Sequence, residues 1–221
     1  MLSEAGRVNS PLRHAPPNIL ISNLEPFSRM VKVLGISGSP RKGGNTEILV
    51  KTALEAAKGV GAETEMIKLS EKVVAPCDGC ASCAKTKRCK TKDDFAEVFD
   101  KMTAADAILF ASPSYFESVT PQMKALIDRT GFFNNRATGR HAFDGKIGGA
   151  IAVAYRTGLA TTWCQMLIFI LAQRMIVPGI ASFPNAIASE PGDVLNDKEG
   201  MDKAKEIGEA MAKLAQRLAK D

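Results

Sequence analysis

The chain has 221 residues, 45% hydrophobic and 24% charged, which suits one globular domain large enough to close a core without staples. A formal net charge of +5 is too small an excess for a nucleic-acid binder, and no apolar run approaches the ~20 residues that span a bilayer. With only two histidines, His14 and His141, a histidine-rich metal site and a Ser-His-Asp hydrolase are both disfavoured, so enzyme chemistry would rest on a bound cofactor.

Residues 1–29 carry Pro11, Pro16, Pro17 and Pro26 with little periodicity. They are expected to form a flexible extension, an ordered arm being the alternative. The Ile19–Ile21 triplet is too short for a signal peptide, so a cytoplasmic location is expected. Regular patterning starts at Met30 and defines a domain over 30–221. Strands are predicted at Val31–Ile36, Thr64–Leu69, Ala107–Ala111, Ile147–Ala154 and Met175–Ile180. Helices are predicted at Thr46–Lys58, through Phe95, Val98, Phe99 and Met102, around Met123, Leu126 and Ile127, over Thr162–Arg174, and through Ile207, Met211, Leu214 and Leu218. Five short apolar strands alternating with helices predict an α/β fold with a doubly wound five-stranded parallel sheet. The length fits the flavodoxin-like order 2-1-3-4-5, with a cysteine-rich loop inserted over 76–92. The helix around Trp163–Leu171 is apolar on more than one face, so it is either fully buried or turned toward another subunit. Cys164 within it reads as a buried hydrophobe.

The first strand runs into Gly35-Ile36-Ser37-Gly38-Ser39-Pro40-Arg41-Lys42-Gly43-Gly44-Asn45-Thr46. A loop entering a helix N-terminus offers free N–H groups to an anion. Ser37, Ser39, Asn45 and Thr46 add donors and Arg41 adds charge. The dinucleotide fingerprint is absent. Gly38 and Gly43 have P-loop spacing, but Gly44-Asn45 stands where Lys-Ser/Thr would follow. A hydroxyl-rich loop of this kind suits a terminal phosphate monoester such as that of FMN. The third strand ends in Ser112-Pro113-Ser114-Tyr115-Phe116-Glu117-Ser118-Val119-Thr120, at the edge where open α/β sheets bind ligands. There Pro113 and the flanking serines let backbone donors face a flat ring, and Tyr115 or Phe116 can cover it, unless both aromatics are core.

The stretches SGSPRKGGNT and PSYFESVTPQMKALIDR, the Arg156/Gly158 loop and MIVPG resemble the NADPH-dependent FMN reductase family, and within it the iron-sulfur flavoproteins. The resemblance runs from about Met30 to the C-terminus. It implies that Ser37, Ser39, Arg41, Gly43, Asn45 and Thr46 hold the FMN phosphate. It implies that Pro113, Ser114, Tyr115 and Phe116 meet the isoalloxazine edge, and that Tyr155, Arg156 and Gly158 lie near the ring. Arg156-Thr157-Gly158-Leu159 departs from the Gly-Gly common in the family.

Four of the five cysteines form the pattern Cys77-x2-Cys80-x2-Cys83-x5-Cys89, compact enough to bring thiolates into one small volume. Clustering of this kind, without a secretory signal, points to metal rather than disulfides. The spacing differs from the bacterial ferredoxin run. It resembles that of iron-sulfur flavoproteins, in which all four cysteines bind one [4Fe-4S] cluster. Lys85, Lys87, Arg88, Lys90 and Lys92 would offset the negative cluster. A single zinc ion and metal-free thiols are the alternatives. The leading expectation is an FMN protein passing electrons between a [4Fe-4S] cluster and the flavin, with ferredoxin as partner implied by the resemblance. A cluster-free NAD(P)H-dependent flavin or quinone reductase and a zinc-stapled binding module are the competitors. A homodimer or homotetramer is expected.

Overall fold

The computed structural model describes residues 29–219. The expected N-terminal extension, apart from Arg29, lies outside them. In chain order the elements are β1 (Lys32–Ser37), α1 (Asn45–Gly59), β2 (Glu63–Lys68), α2 (Cys83–Thr86), α3 (Phe95–Ala104), β3 (Ala107–Pro113), α4 (Pro121–Ala137), β4 (Ile147–Ala154), α5 (Leu159–Ala172), β5 (Asn185–Ile187) and α6 (Lys198–Leu218). The strands form one parallel sheet in the order β2-β1-β3-β4-β5, as the alternation of apolar strands and helices predicts.

Alternation along each strand divides the core in two. Val33, Leu109, Ile151 and Val153 face α1 and α6, where Leu49, Val50, Ile207 and Met211 meet them. Leu34, Ile36, Ile108 and Phe110 face α3, α4 and α5, where Phe95, Met123, Leu126 and Ile170 fill the second layer. Helices α1 and α6 approach closely because Gly208 lies against the Ala53 backbone. A Cβ built on Gly208 would stand 2.0 Å from the Ala53 carbonyl oxygen.

The sheet's fifth position is filled differently from the expected Met175–Ile180 strand. Ile176 makes one parallel bridge, to Ile147. Pro178 then removes a donor, and Gly179 follows. Pairing resumes only at Asn185–Ile187 beside Ala152–Ala154. Cys164 is also exposed rather than buried, because it lies on the outer side of α5 with Ile168 and Leu171. The inner side of α5 carries Met166, Phe169 and Ile170. No helix among the described residues is long and apolar enough to cross a membrane.

Candidate functional site

Helix α1 begins at Gly44, which provides no side-chain cap, so the first-turn N–H groups depend on other partners. They border an open cleft at the carboxyl end of the sheet, the edge at which open α/β sheets bind ligands. Ser39, Arg41, Asn45 and Thr46 line its floor from the β1–α1 loop. Ser39 folds that loop: its Oγ accepts from the Arg41 N–H at 3.1 Å. Ser37 is fully buried on β1, its hydroxyl unpartnered. Gly43 is outside the lining and takes the loop through a left-handed turn, with φ +65°. The Asn45 amide is committed to the loop after β5. It donates to the Glu190 carbonyl at 2.8 Å and accepts from the Gly192 and Val194 N–H groups.

The β3–α4 loop supplies one wall through Pro113, Ser114 and Tyr115. Its base is stitched to the β1–α1 loop: Gly38 N–H donates to the Ala111 carbonyl at 2.7 Å, and Thr120 Oγ1 donates to the Gly38 carbonyl at 2.6 Å. Thr120 Oγ1 also caps α4, accepting from Met123 N–H, with Pro121 at the favoured first position. Between them, Tyr115 and Ser118 exchange two backbone hydrogen bonds across a turn whose central residues, Phe116 (φ +48°) and Glu117 (φ +63°), are both left-handed. Neither is glycine, so the turn is strained. Both aromatics face outward, Tyr115 41% and Phe116 fully exposed, so the core reading of the pair is excluded.

The loop after β4 adds Tyr155, 71% exposed. Its Gly158 (φ +86°) admits no side chain: a Cβ there would sit 2.1 Å from Ser114 Oγ. Phe116 and Arg156 line an adjoining cavity, of which Ser114 and Tyr155 form the shared rim. Eight of the sequence-predicted residues therefore border the main cleft, and Phe116 and Arg156 border its neighbour. The fourth wall, Ala188, Ser189 and Pro191, escaped the sequence reading. Its only signal is the turn-forming run Ser189-Glu190-Pro191-Gly192 behind a strand too short to recognise.

The cysteine segment lies against α4. Left-handed residues Gly79, Ala81 and Lys87 turn it repeatedly, and Lys90 pairs with Asp78 at 2.7 Å. The Lys90 ammonium, followed by the Cys80 N–H, holds the Asp78 carboxyl down to about 2. Cys77, Cys80, Cys83 and Cys89 all line one cavity, backed by Phe95, Arg129 and Phe133. Burial pushes the Cys83 thiol up, and negative charge on Cys89 and Cys80 adds to the shift. Among the described residues no three Cys, His, Asp or Glu side chains converge closely enough to hold a metal ion. Four thiols around one cavity, with cationic Arg129 and Arg136 in its wall, are a donor set whose chemistry suits a thiolate-bound, anionic metal group. Sequence reading assigned charge balance to the neighbouring lysines and Arg88; Lys90 does lie beside Cys80, but the cation that donates to Cys89 is Arg129 of α4. Its signal was a charged residue in register with Leu126 and Phe133 on the inner side of a helix.

A parallel sheet in the order 2-1-3-4-5 with a hydroxyl-lined cleft at its switch point defines a flavodoxin-like α/β protein. The chain belongs to the NADPH-dependent FMN reductase family, whose model matches residues 31–188, and is an oxidoreductase with an FMN-based redox role. An iron-sulfur flavoprotein of Methanocaldococcus jannaschii is 39% identical over 198 residues, 86% of this chain and 100% of that one. Another, of Methanosarcina thermophila, is 34% identical over 193 residues, 86% of this chain and 98% of that one. Among solved structures, RosB with a bound 8-demethyl-8-formylriboflavin-5'-phosphate intermediate has a TM-score of 0.70 at 17% identity, covering 86% of this chain and 81% of that one. A flavodoxin from the domain Archaea gives 0.57 at 15% identity, covering 84% and 99%. These two likenesses concern the fold.

Proposed function

We propose that the protein is an iron-sulfur flavoprotein, holding FMN in the cleft at the carboxyl end of the sheet and a [4Fe-4S] cluster on Cys77, Cys80, Cys83 and Cys89. The observation that carries this reading is that all four cysteines line one cavity on a chain of this family. FMN when bound supplies hydride or single-electron chemistry, and the cluster supplies single electrons. The chain's own residues bind and orient. Ser39, Arg41, Thr46 and the α1 N-terminus receive the phosphate. Pro113, Ser114 and Tyr115 border the ring, and Gly158 lets the β4–α5 loop close against Ser114. Helix α4 joins the two sites: Arg129 lies nine residues beyond Thr120, about 13 Å along a helix that rises ~1.5 Å per residue.

An external carrier such as ferredoxin supplies or removes electrons, and the exposed Lys85, Lys87, Arg88 and Lys92 suit an acidic partner. The outer side of α5, with Ile168 66% and Leu171 55% exposed, suits contact with a second copy, giving a homodimer or homotetramer. Protein prepared without oxygen should carry flavin bands with a broad iron-sulfur shoulder, and iron and acid-labile sulfide should approach four each per chain. Full flavin with neither iron nor sulfide after anaerobic reconstitution would overturn the cluster. The protein would then be a cluster-free NAD(P)H-dependent reductase. That second reading is favoured by one feature, the cavity beside the main cleft, where Arg156 can meet an anionic cosubstrate.

A further inference from the structure

Arg129 is buried, with 3% of its surface exposed. Its Nη1 donates to the Ala75 carbonyl at 3.1 Å and pairs closely with the Asp93 carboxylate. Its Nη2 donates to Cys89 Sγ at 3.2 Å, and its guanidinium carbon stands 4.3 Å from the centre of the Phe95 ring. Its Nε is buried without a partner. One side chain thus ties together the entry to the cysteine segment, its exit and the fourth cysteine. A buried guanidinium keeps its charge, because its proton cannot be removed in the accessible pH range.

We infer that Arg129 is a positioning residue that sets the reduction potential of the cluster through its hydrogen bond and charge on Cys89. This rests on the cluster reading above. Reduction adds one electron to the cluster and its thiolates, and a fixed cation bonded to a ligand sulfur favours the more negative state. Asp93, ion-paired with the same guanidinium, opposes it in part. Removing Arg129 therefore lowers the potential, and removing the Asp93 charge raises it. Burial strengthens both effects, since water screens little there. A purely structural role has no reason to give opposite signs.

The test compares wild type, R129M, R129K, D93N and the R129M/D93N pair, each prepared without oxygen. Iron, sulfide and flavin are counted first. Midpoint potentials of cluster and flavin then come from a mediated titration read by absorbance and electron paramagnetic resonance. R129M should shift the one-electron cluster equilibrium at least tenfold toward the oxidised form, about 59 mV more negative. R129K should shift it less, D93N should shift it the other way, and the flavin should keep its potential. If R129M does not fold with Asp93 left unpaired, the difference between R129M/D93N and D93N isolates Arg129 without a lone buried carboxylate. A loaded variant lacking Arg129 with an unchanged cluster potential overturns the inference, as do shifts of one sign for R129M and D93N. A wild type without iron and sulfide after reconstitution overturns the cluster reading itself, and the inference with it.

Discussion

Phe116 stands fully exposed on a left-handed backbone, which costs an ordinary side chain about 1–2 kcal/mol. Asparagine tolerates that conformation, so Phe116→Asn should raise stability by about 1 kcal/mol, seen as a higher denaturant midpoint. If the strain serves the site, electron exchange with an external carrier should fall in the same variant. A lower midpoint would mean that Phe116 packs against something and the strain account is wrong. In the neighbouring loop, Ser39 and Thr46 line the cleft and are the hydroxyls proposed to receive a phosphate. Replacing both with alanine removes charge-assisted bonds of roughly 1.5–3 kcal/mol each. FMN binding, followed by fluorescence quenching, should weaken strongly while riboflavin binding changes little. Equal loss for both ligands would place the phosphate elsewhere. That Ser39 and Thr46 border the cleft was legible from type and position, whereas Ser37 is buried on β1 outside its lining. The commitment of Asn45 to Glu190, Gly192 and Val194 was not legible, because those partners lie about 145 residues away in the chain.

At the level of elements, α4 depends on Thr120, a buried cap that also holds the β1–α1 loop through the Gly38 carbonyl. Thr120→Ala removes the cap and leaves that carbonyl unpaired. The expected cost is at least about 2 kcal/mol in chemical denaturation, with weaker FMN binding as the loops uncouple. Thr120→Ser should recover most of it. The edge strand β2 is pinned by Glu65, which meets Lys32 of β1 at 2.5 Å and Lys101 of α3 at 3.0 Å. Hydrogen bonds from Lys32 first and Lys101 second hold its carboxyl below the usual 4.5. The folded state thus binds this proton less readily than the unfolded chain. The contribution is full above pH 4.5 and fades as the pH falls through the lowered folded value. Glu65→Gln should cost roughly 0.2–1 kcal/mol near neutrality, and the gap to wild type should close in acid. A gap that persists below pH 2 would show that packing, not charge, pins the strand. Strand existence was readable from apolar runs. The displaced fifth strand was not, because Met175–Ile180 has the composition of a strand while Pro178 limits its pairing.

For the whole molecule, the exposed Ile168 and Leu171 carry the expectation of an oligomer. Ile168→Glu puts a charge into any interface there. It should shift sedimentation toward the monomer at micromolar concentration, with the far-ultraviolet spectrum and the FMN content per folded chain largely kept. Wild-type monomer under the same conditions would remove the premise. A helix apolar on two sides announced that one side needed covering, but which side faced the sheet depended on α4 and β4 being in place.

By itself the sequence determined the division into α/β units, the parallel sheet and the hydroxyls that stand in the loop at the end of the first strand. These follow from periodicity, strand spacing and the residues at a strand's carboxyl end, all local in the chain. It also determined that four cysteines lie close together, since their spacing is short. Only the tertiary structure decided that the loop after β5 joins the cleft with Ser189 and Pro191 as its fourth wall, and that Arg129 rather than a lysine touches Cys89. Each of these joins segments tens of residues apart. Such contacts depend on how the layers stack on the sheet, and periodicity, which repeats every two or 3.6 residues, carries no information about them.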